Sequence, residues 1–412
     1  MKINLSRIIH IVVLFIFLYN PPLLKNSVLI HVLFIVSVVK IANSRKEHKR
    51  AYNIMQNTKI LPFIGSLIFI SAYLLVYDSI SRNANVAYGR IYLYMIIAVE
   101  IVIISYRIGI FYESKGLEYA CNDILIAGNI QALIGVLMFV SPALKQTLVN
   151  IMYSNDVSKI SPYLLRARFF GFANYLTSTT AILQIMLAVL AFWLFLDKSY
   201  KYIFYFPMLV FSAIFNARSS LVIGVVGILL VLFYKIRIEN KKAFRKILII
   251  ILLSTLVICF IMPRIANGAS VEWVQDGIEE IVAFLQGEET GYFEYLNEKI
   301  FLPESFREVL FGTGHAIFLG RIASDVGYIN DIWMIGIILT FGLYLSYIIF
   351  LKNNYKTSDK MGKCMRIFFI CTFLIYNIKG IVINNNEIIT FTILYIFIEY
   401  FTKPCGEIRG KK

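Results

Sequence analysis

Residues Phe311 to Gly336 read FGTGHAIFLGRIASDVGYINDIWMIG. Here a polar, glycine-rich, charge-bearing segment runs without a break into an apolar run. That run, Ile329–Phe350, has the length of a membrane helix. Upstream lies the long hydrophilic insertion of the chain, from about Pro263 to Tyr328. Most of the remaining sequence reads as bilayer, so chemistry at a membrane surface is expected at this junction.

Composition supports that reading. The chain has 412 residues, 59% apolar and 16% charged, with a mean hydropathy of +0.73. A soluble domain is nearer about half apolar and about a quarter charged. The apolar runs match a hydrocarbon core roughly 30 Å thick. In lipid every backbone polar group must pair internally, so helices are expected. The runs are too long and too weakly alternating for a β-barrel. The net charge of +15 does not imply nucleic acid, because the basic clusters lie between the apolar runs, as in cytoplasmic loops. Five cysteines (Cys121, Cys259, Cys364, Cys371, Cys405) show neither metal spacing nor a disulfide framework.

The expected fold is all-α and polytopic, with about 12 transmembrane helices and one large external loop. Residues 1–262 hold helices one to nine. The loop takes 263–328, and 329–412 hold helices ten to twelve and a basic tail. Pro21-Pro22 stops the first helix, which is read as uncleaved. The stretches SRKEHKRAYNIMQNTK and KIRIENKKAFRK read as basic cytoplasmic loops, and 142–170 as a polar external one. Lys and Arg concentrate in the segments placed inside, with both termini cytoplasmic. Within the insertion, Val271, Val274, Ile278, Ile281, Val282 and Leu285 recur at helical spacing, predicting an amphipathic helix over Val271–Gln286. Pro303 fits the first turn of a second short helix that Gly312 ends, which puts Arg307 on it.

Two stretches carry a resemblance. EVLFGTGH followed by SDVGYINDIWMIGIIL is similar to the C-terminal signature of bacterial O-antigen polymerases. NARSSLVIGVVGILLVLF resembles their Ser-Arg start of a helix leaving the external face, although Ala217 stands here where the family has Ser. O-antigen ligases share the broad layout. The resemblance implies an inner-membrane, metal-independent, inverting glycosyltransferase without a cofactor. It would move a growing chain from undecaprenyl pyrophosphate onto a fresh lipid-linked repeat unit at the periplasmic face. Expected partners are that lipid-linked oligosaccharide, membrane lipid and a chain-length regulator protein.

Such a reaction needs guanidinium groups to hold a pyrophosphate leaving group bidentately. It also needs a carboxylate near the oxocarbenium carbon and a base for the acceptor hydroxyl. Arg218, Arg166 and Arg168 are the expected pyrophosphate ligands, with Arg307 and Arg321 flanking the glycine turn. The alternative for Arg218 is snorkelling to lipid phosphate. Arg166 and Arg168 could be plain charges flanking a helix, and Arg307 or Arg321 could pair with Glu304 or Glu308. Asp325 or His315 is expected to be the base or oxocarbenium stabiliser. Ser324 or Asp325 could instead cap helix ten, and His315 could be a loop residue without a task. Gly312 and Gly314 read as backbone permissiveness, because FGTG lacks the Lys-Ser/Thr of a phosphate loop.

Three other classes compete. A lipid-linked oligosaccharide flippase should show charged residues inside several helices, and these helices look nearly charge-free. A ligase usually carries a histidine where Asp325 stands. An acyltransferase needs a histidine in a polar constellation, whereas His10 and His31 lie on apolar helices and His48 in a basic loop.

Overall fold

The structure, a computed structural model, describes residues 5–21, 28–81, 88–153, 168–173, 178–217, 219–236, 298–314, 324, 326–353, 359–384 and 387–402, with isolated residues between 272 and 286. Regular structure among the described residues is helical throughout. In chain order the helices are α1 (Leu5–Tyr19), α2 (Val28–Ala42), α3 (Arg45–Asn57), α4 (Ile60–Ser81) and α5 (Tyr88–Met95). A π-helical segment, Ile96–Ile101, joins α5 to α6 (Val102–Tyr112). Next come α7 (Leu117–Val140), α8 (Pro142–Tyr153), α9 (Ser178–Asp197), a 3₁₀ turn at Tyr200–Phe204, α10 (Phe206–Ile214) and α11 (Ser219–Ile236). The last are α12 (Phe306–Phe311), α13 (Gly327–Lys352), α14 (Lys360–Tyr376) and α15 (Glu387–Thr402).

Five stretches are long and apolar enough to cross a bilayer: Ile60–Tyr77, Tyr88–Tyr112, α7, α9 and α13. Counting α2 and α3, bent by 114° at their junction, as one span gives six. α1, Tyr200–Ile214 and Ser219–Lys235 are apolar but shorter. The described residues therefore hold fewer full-length spans than the about 12 expected. The expected ninth helix, 247–262, lies outside the described residues.

The chain divides into two units, Met1–Ile30 with Glu118–Thr290, and His31–Leu117 with Gly291–Lys412. In the first unit α9 is the core, with every residue from Thr179 to Leu196 buried. A helix apolar all round has no solvent face to offer. Small residues let its neighbours approach, as membrane packing requires. A Cβ on Gly128 of α7 would sit 2.5 Å from Leu187, and one on Gly224 of α11 would sit 2.8 Å from Ile185. The buried Gln184 amide donates to the Tyr19 hydroxyl at 3.1 Å and the Gly128 carbonyl at 3.4 Å.

In the second unit α15 is the core, buried along almost its whole length. α6 packs on it at Gly109, where a Cβ would meet Phe401 at 2.4 Å. Arg366 of α14 pairs with Glu399 at 2.7 Å, and both are nearly solvent-free. The same guanidinium donates to the carbonyls of Leu351 and Asn353, satisfying the open end of α13.

Several expectations change. The basic stretch after Ala42 is not a loop but the helix α3, N-capped by Ser44, whose hydroxyl accepts from the Glu47 amide. The segment read as a polar external loop from 142 begins with α8. Helix ten is broken at Gly336 (φ 76°, ψ 165°). Its N-cap is Val326 rather than Ser324 or Asp325. The short helix after Pro303 starts three residues later, at Phe306, and ends at Gly312 as expected. Lys379, which the sequence places inside helix eleven, lies in the turn after α14. The six described residues between 272 and 286 are all helical, in agreement with the amphipathic helix there.

Candidate functional site

The quoted stretch closes on itself. At Gly336 the helical path of α13 is interrupted, which frees the carbonyls of Trp333 and Met334. The glycine turn supplies their donors. Thr313 N donates to Trp333 O at 2.7 Å, and Gly314 N to Met334 O at 3.1 Å. The Thr313 hydroxyl adds a second bond to Trp333 O at 2.9 Å. A Cβ on Gly312 would lie 2.6 Å from Met334 O, and one on Gly336 would lie 2.2 Å from Leu310 O. Both glycines have positive φ. Glycine is needed twice over here, for the backbone angle and for the close approach. Irregular backbone at membrane depth is tolerated only when protein satisfies it.

Other side chains hold the same platform. Trp333 Nε1 donates to Phe301 O at 2.9 Å, and Ser324 Oγ to Lys299 O at 2.8 Å. Tyr73 of α4 donates to Phe311 O at 2.5 Å. Asn330 closes the start of α13 from inside, donating to the carbonyls of Ser324 (2.6 Å) and Val326 (3.0 Å). Gly327 packs against the Gly380 carbonyl, and the Tyr328 hydroxyl reaches Leu374 O at 2.7 Å.

Beneath the break lies a buried charged cluster. Asp331 is fully buried and accepts from Arg90 Nη2 at 2.7 Å and from the Tyr344 hydroxyl at 2.6 Å. Arg90 also reaches the Tyr94 hydroxyl at 3.4 Å. Tyr344 follows the break and Asp331 precedes it, so the bond between them staples the two halves of α13. Sequence reasoning misses these residues because Asp331 sits in a strongly apolar run and Arg90 reads as a loop charge. An acid shortly before an in-helix glycine is the signal that could have found them.

The first unit has an irregular segment of its own. Residues 168–173, RFFGFA, are not helical and are largely buried. Asn216 clamps Phe169, accepting from its amide at 3.0 Å and donating to its carbonyl at 2.8 Å. Gln131 of α7 holds the next residues in the same way, donating to Phe170 O at 2.8 Å and accepting from Phe172 N at 2.9 Å. Gly171 (φ +65°) lies where any Cβ would strike Gln131. Phe169, Phe170, Phe215, Met138 and Val149 form the apolar cluster around the segment. Lys145 of α8, which sequence reasoning overlooks, places its ammonium 4.3 Å from the Phe169 ring centre. Burial lowers its pKa to about 8.

Of the expected site residues, the structure describes two. Arg168 is half-buried in the clamped segment of the first unit. Arg307 is exposed on α12 of the second, on a helix just before the glycine turn as expected. Among the described residues it has no ion pair with Glu304 or Glu308. Arg166, Arg218, His315, Arg321 and Asp325 lie outside the described residues. Among the described residues, no three of His, Cys, Asp or Glu gather as a metal site.

The structure departs from the sequence reading on two features that bear on the competing classes. The helices are not nearly charge-free: Arg7 pairs with Asp123 at 2.7 Å, Arg90 with Asp331 and Arg366 with Glu399, each between helices. His31 does sit in a polar constellation, with Nδ1 2.8 Å from Glu100 and Nε2 2.8 Å from the Tyr92 hydroxyl. The chain matches no family model, no curated protein and no solved structure.

Proposed function

We propose that the protein polymerises oligosaccharide repeat units carried on undecaprenyl pyrophosphate, at the periplasmic face of a bacterial inner membrane. The observation that carries this reading is the agreement of motif and build at one place. The stretch that resembles the polymerase signature is also the one whose two ends seat on each other at a broken membrane helix. In this reading the lipid pyrophosphate emerges beside that turn, whose packed backbone would hold the reacting groups in place.

In the proposed step the acceptor hydroxyl oxygen attacks the anomeric carbon of the donor. The bond from that carbon to the pyrophosphate oxygen breaks, and the lipid pyrophosphate leaves with the electron pair. Asp325 or His315 takes the hydroxyl proton. Arg218, Arg166, Arg168, Arg307 and Arg321 are the residues the resemblance offers for holding the departing charge. The donor set is organic cations, so the proposal calls for no metal or cofactor.

The test is deletion followed by gel analysis of surface polysaccharide. One attached repeat without a ladder supports a polymerase. Arg218→Ala and Asp325→Ala should each give the same single-repeat pattern on complementation. Normal ladders in both variants would overturn the assignment. A second reading, a lipid-linked oligosaccharide transporter, is favoured by the buried ion pairs between helices, which are common on transport paths. It predicts no attached repeat at all after deletion, as does a ligase.

A further inference from the structure

We propose that α3 lies in the plane of the membrane surface and binds the headgroups of anionic phospholipids. The inference does not depend on the proposed catalytic activity.

Position is the first argument. α3 follows the apolar α2 at a bend of 114° and is followed, after Thr58 and Lys59, by the span that starts at Ile60. One end therefore follows an apolar 15-residue helix and the other leads into a stretch long and apolar enough to cross a bilayer. Lys59 takes a left-handed turn (φ 52°) that redirects the chain into α4. Thirteen residues make a rod about 20 Å long, which this geometry leaves lying along the surface.

The inner face is the second. Ala51, Ile54 and Thr58 are buried. Glu47, the only carboxylate of α3, is turned inward, where it accepts from the Tyr106 hydroxyl at 3.0 Å and pairs with Arg107 at 3.5 Å. Arg50 pairs with Glu113. Asn57 donates to the Tyr400 hydroxyl at 3.2 Å, and its carbonyl accepts from Asn353 at 2.8 Å. α3 is thus fastened to the ends of α6, α13 and α15.

Charge is the third. The outward face carries Arg45, Lys46, His48 and Lys49, with the Tyr52 ring among them at 59% exposure. Lys40 and Lys59, both exposed, flank it. No carboxylate of α3 shares this face, because Glu47 points the other way. A basic, aromatic-bearing helix at a membrane boundary complements anionic headgroups rather than zwitterionic ones.

The experiment uses the full chain purified in detergent with mixed lipids. Native mass spectrometry reads phosphatidylglycerol retained relative to phosphatidylcholine, and thermal unfolding reads stabilisation by each. The wild-type chain should retain phosphatidylglycerol selectively. The Arg45→Gln, Lys46→Gln, Lys49→Gln variant should lose that preference by about fivefold per charge removed. A Lys198→Gln, Lys201→Gln control, exposed elsewhere, should keep it. If the triple variant fails to fold, raising salt on the wild-type chain replaces it, because screening should abolish the preference. Undiminished selectivity in the triple variant or at high salt overturns the proposal. So does equal stabilisation by phosphatidylcholine, or by inorganic phosphate at matched ionic strength.

Discussion

Gly336 interrupts the long apolar helix α13, and any side chain there is strained. Its φ of 76° is a left-handed value, and a Cβ would meet the Leu310 carbonyl at 2.2 Å. Gly336→Ala is expected to cost at least about 1–2 kcal/mol from backbone strain alone. Gly342, in the same helix, has open space where a methyl group would stand, with nothing within 4 Å. Gly342→Ala should therefore be neutral or stabilising by about 0.5–1 kcal/mol. Thermal unfolding of the two variants in one detergent checks both, and equal midpoints would contradict the reading. Arg90 and Asp331 form the second residue-scale test. Arg90→Leu leaves a buried carboxylate without its cation, at about 3–5 kcal/mol. Arg90→Leu with Asp331→Leu should recover most of that loss, whereas a double variant as weak as the single would show that the ion pair itself is needed. Lys145 gives a pH test. Its amine is shifted from 10.5 to about 8 by burial, so the folded state releases its proton first. Below about pH 8 the charged amine weakens the fold. From there up to 10.5 the unfolded chain binds more protons, so stability rises with pH. Lys145→Met should be more stable at neutral pH and show a flatter stability profile across that window.

At the scale of elements, amides do the work that regular hydrogen bonding cannot. Gln131 and Asn216 each give the clamped 168–173 segment one donor and one acceptor. Gln131→Ala removes the acceptor of the Phe172 amide and one donor to the Phe170 carbonyl, at about 1–3 kcal/mol for the stranded amide. Hydrogen exchange should then accelerate at Phe172 before it does in α9; unchanged protection there would exclude the clamp. The helices themselves are largely readable in the sequence. α1, α2 and α15 fall within a residue of the bounds read from the sequence, 5–20, 27–42 and 388–401, because long apolar runs bounded by polar residues leave little freedom. α3 is not, because its apolar positions, Ala51 and Ile54, are few and its charges suggest a loop. Its cap, Ser44 with Glu47 three residues on, is the signal that marks it. The break in α13 is equally hidden, since one glycine in an apolar run is common in membrane helices. What sets Gly336 apart is the distant glycine turn that seats on it, and no local pattern reveals such a partner. For the same reason Arg307 can be placed on a helix from sequence, while the Arg90–Asp331 pair, 241 positions apart, cannot be found there.

At the scale of the molecule, each unit sorts its segments to two ends. In the second, α3 gathers with Glu113, Asn353 and Tyr400. At the other end Tyr73, Phe311, Trp333, Tyr328 and Asn377 meet. In the first, Tyr202 bonds Glu118 at 2.9 Å and Lys235 pairs with Asp197, while Phe169 and Asn216 meet elsewhere. Segments gathered at one end of a unit should face one side of the membrane, if the spans alternate. Cysteines placed at Lys49 and Lys115 should react with an impermeant thiol reagent from one side of sealed vesicles. Those at Phe311 and Lys379 should react from the other. Labelling of all four from one side would refute the arrangement.

The π-helical segment at Ile96–Ile101 has a consequence for all of this. A wider turn holds one more residue than an α-turn does, which acts as a rotary offset between the two halves of the rod. It sets the azimuth of Arg90 independently of Arg107 and Glu113, which answer to α3. Deleting a single residue there would swing Arg90 about 100° off Asp331, uncoupling the broken helix while leaving the opposite end of the rod in phase.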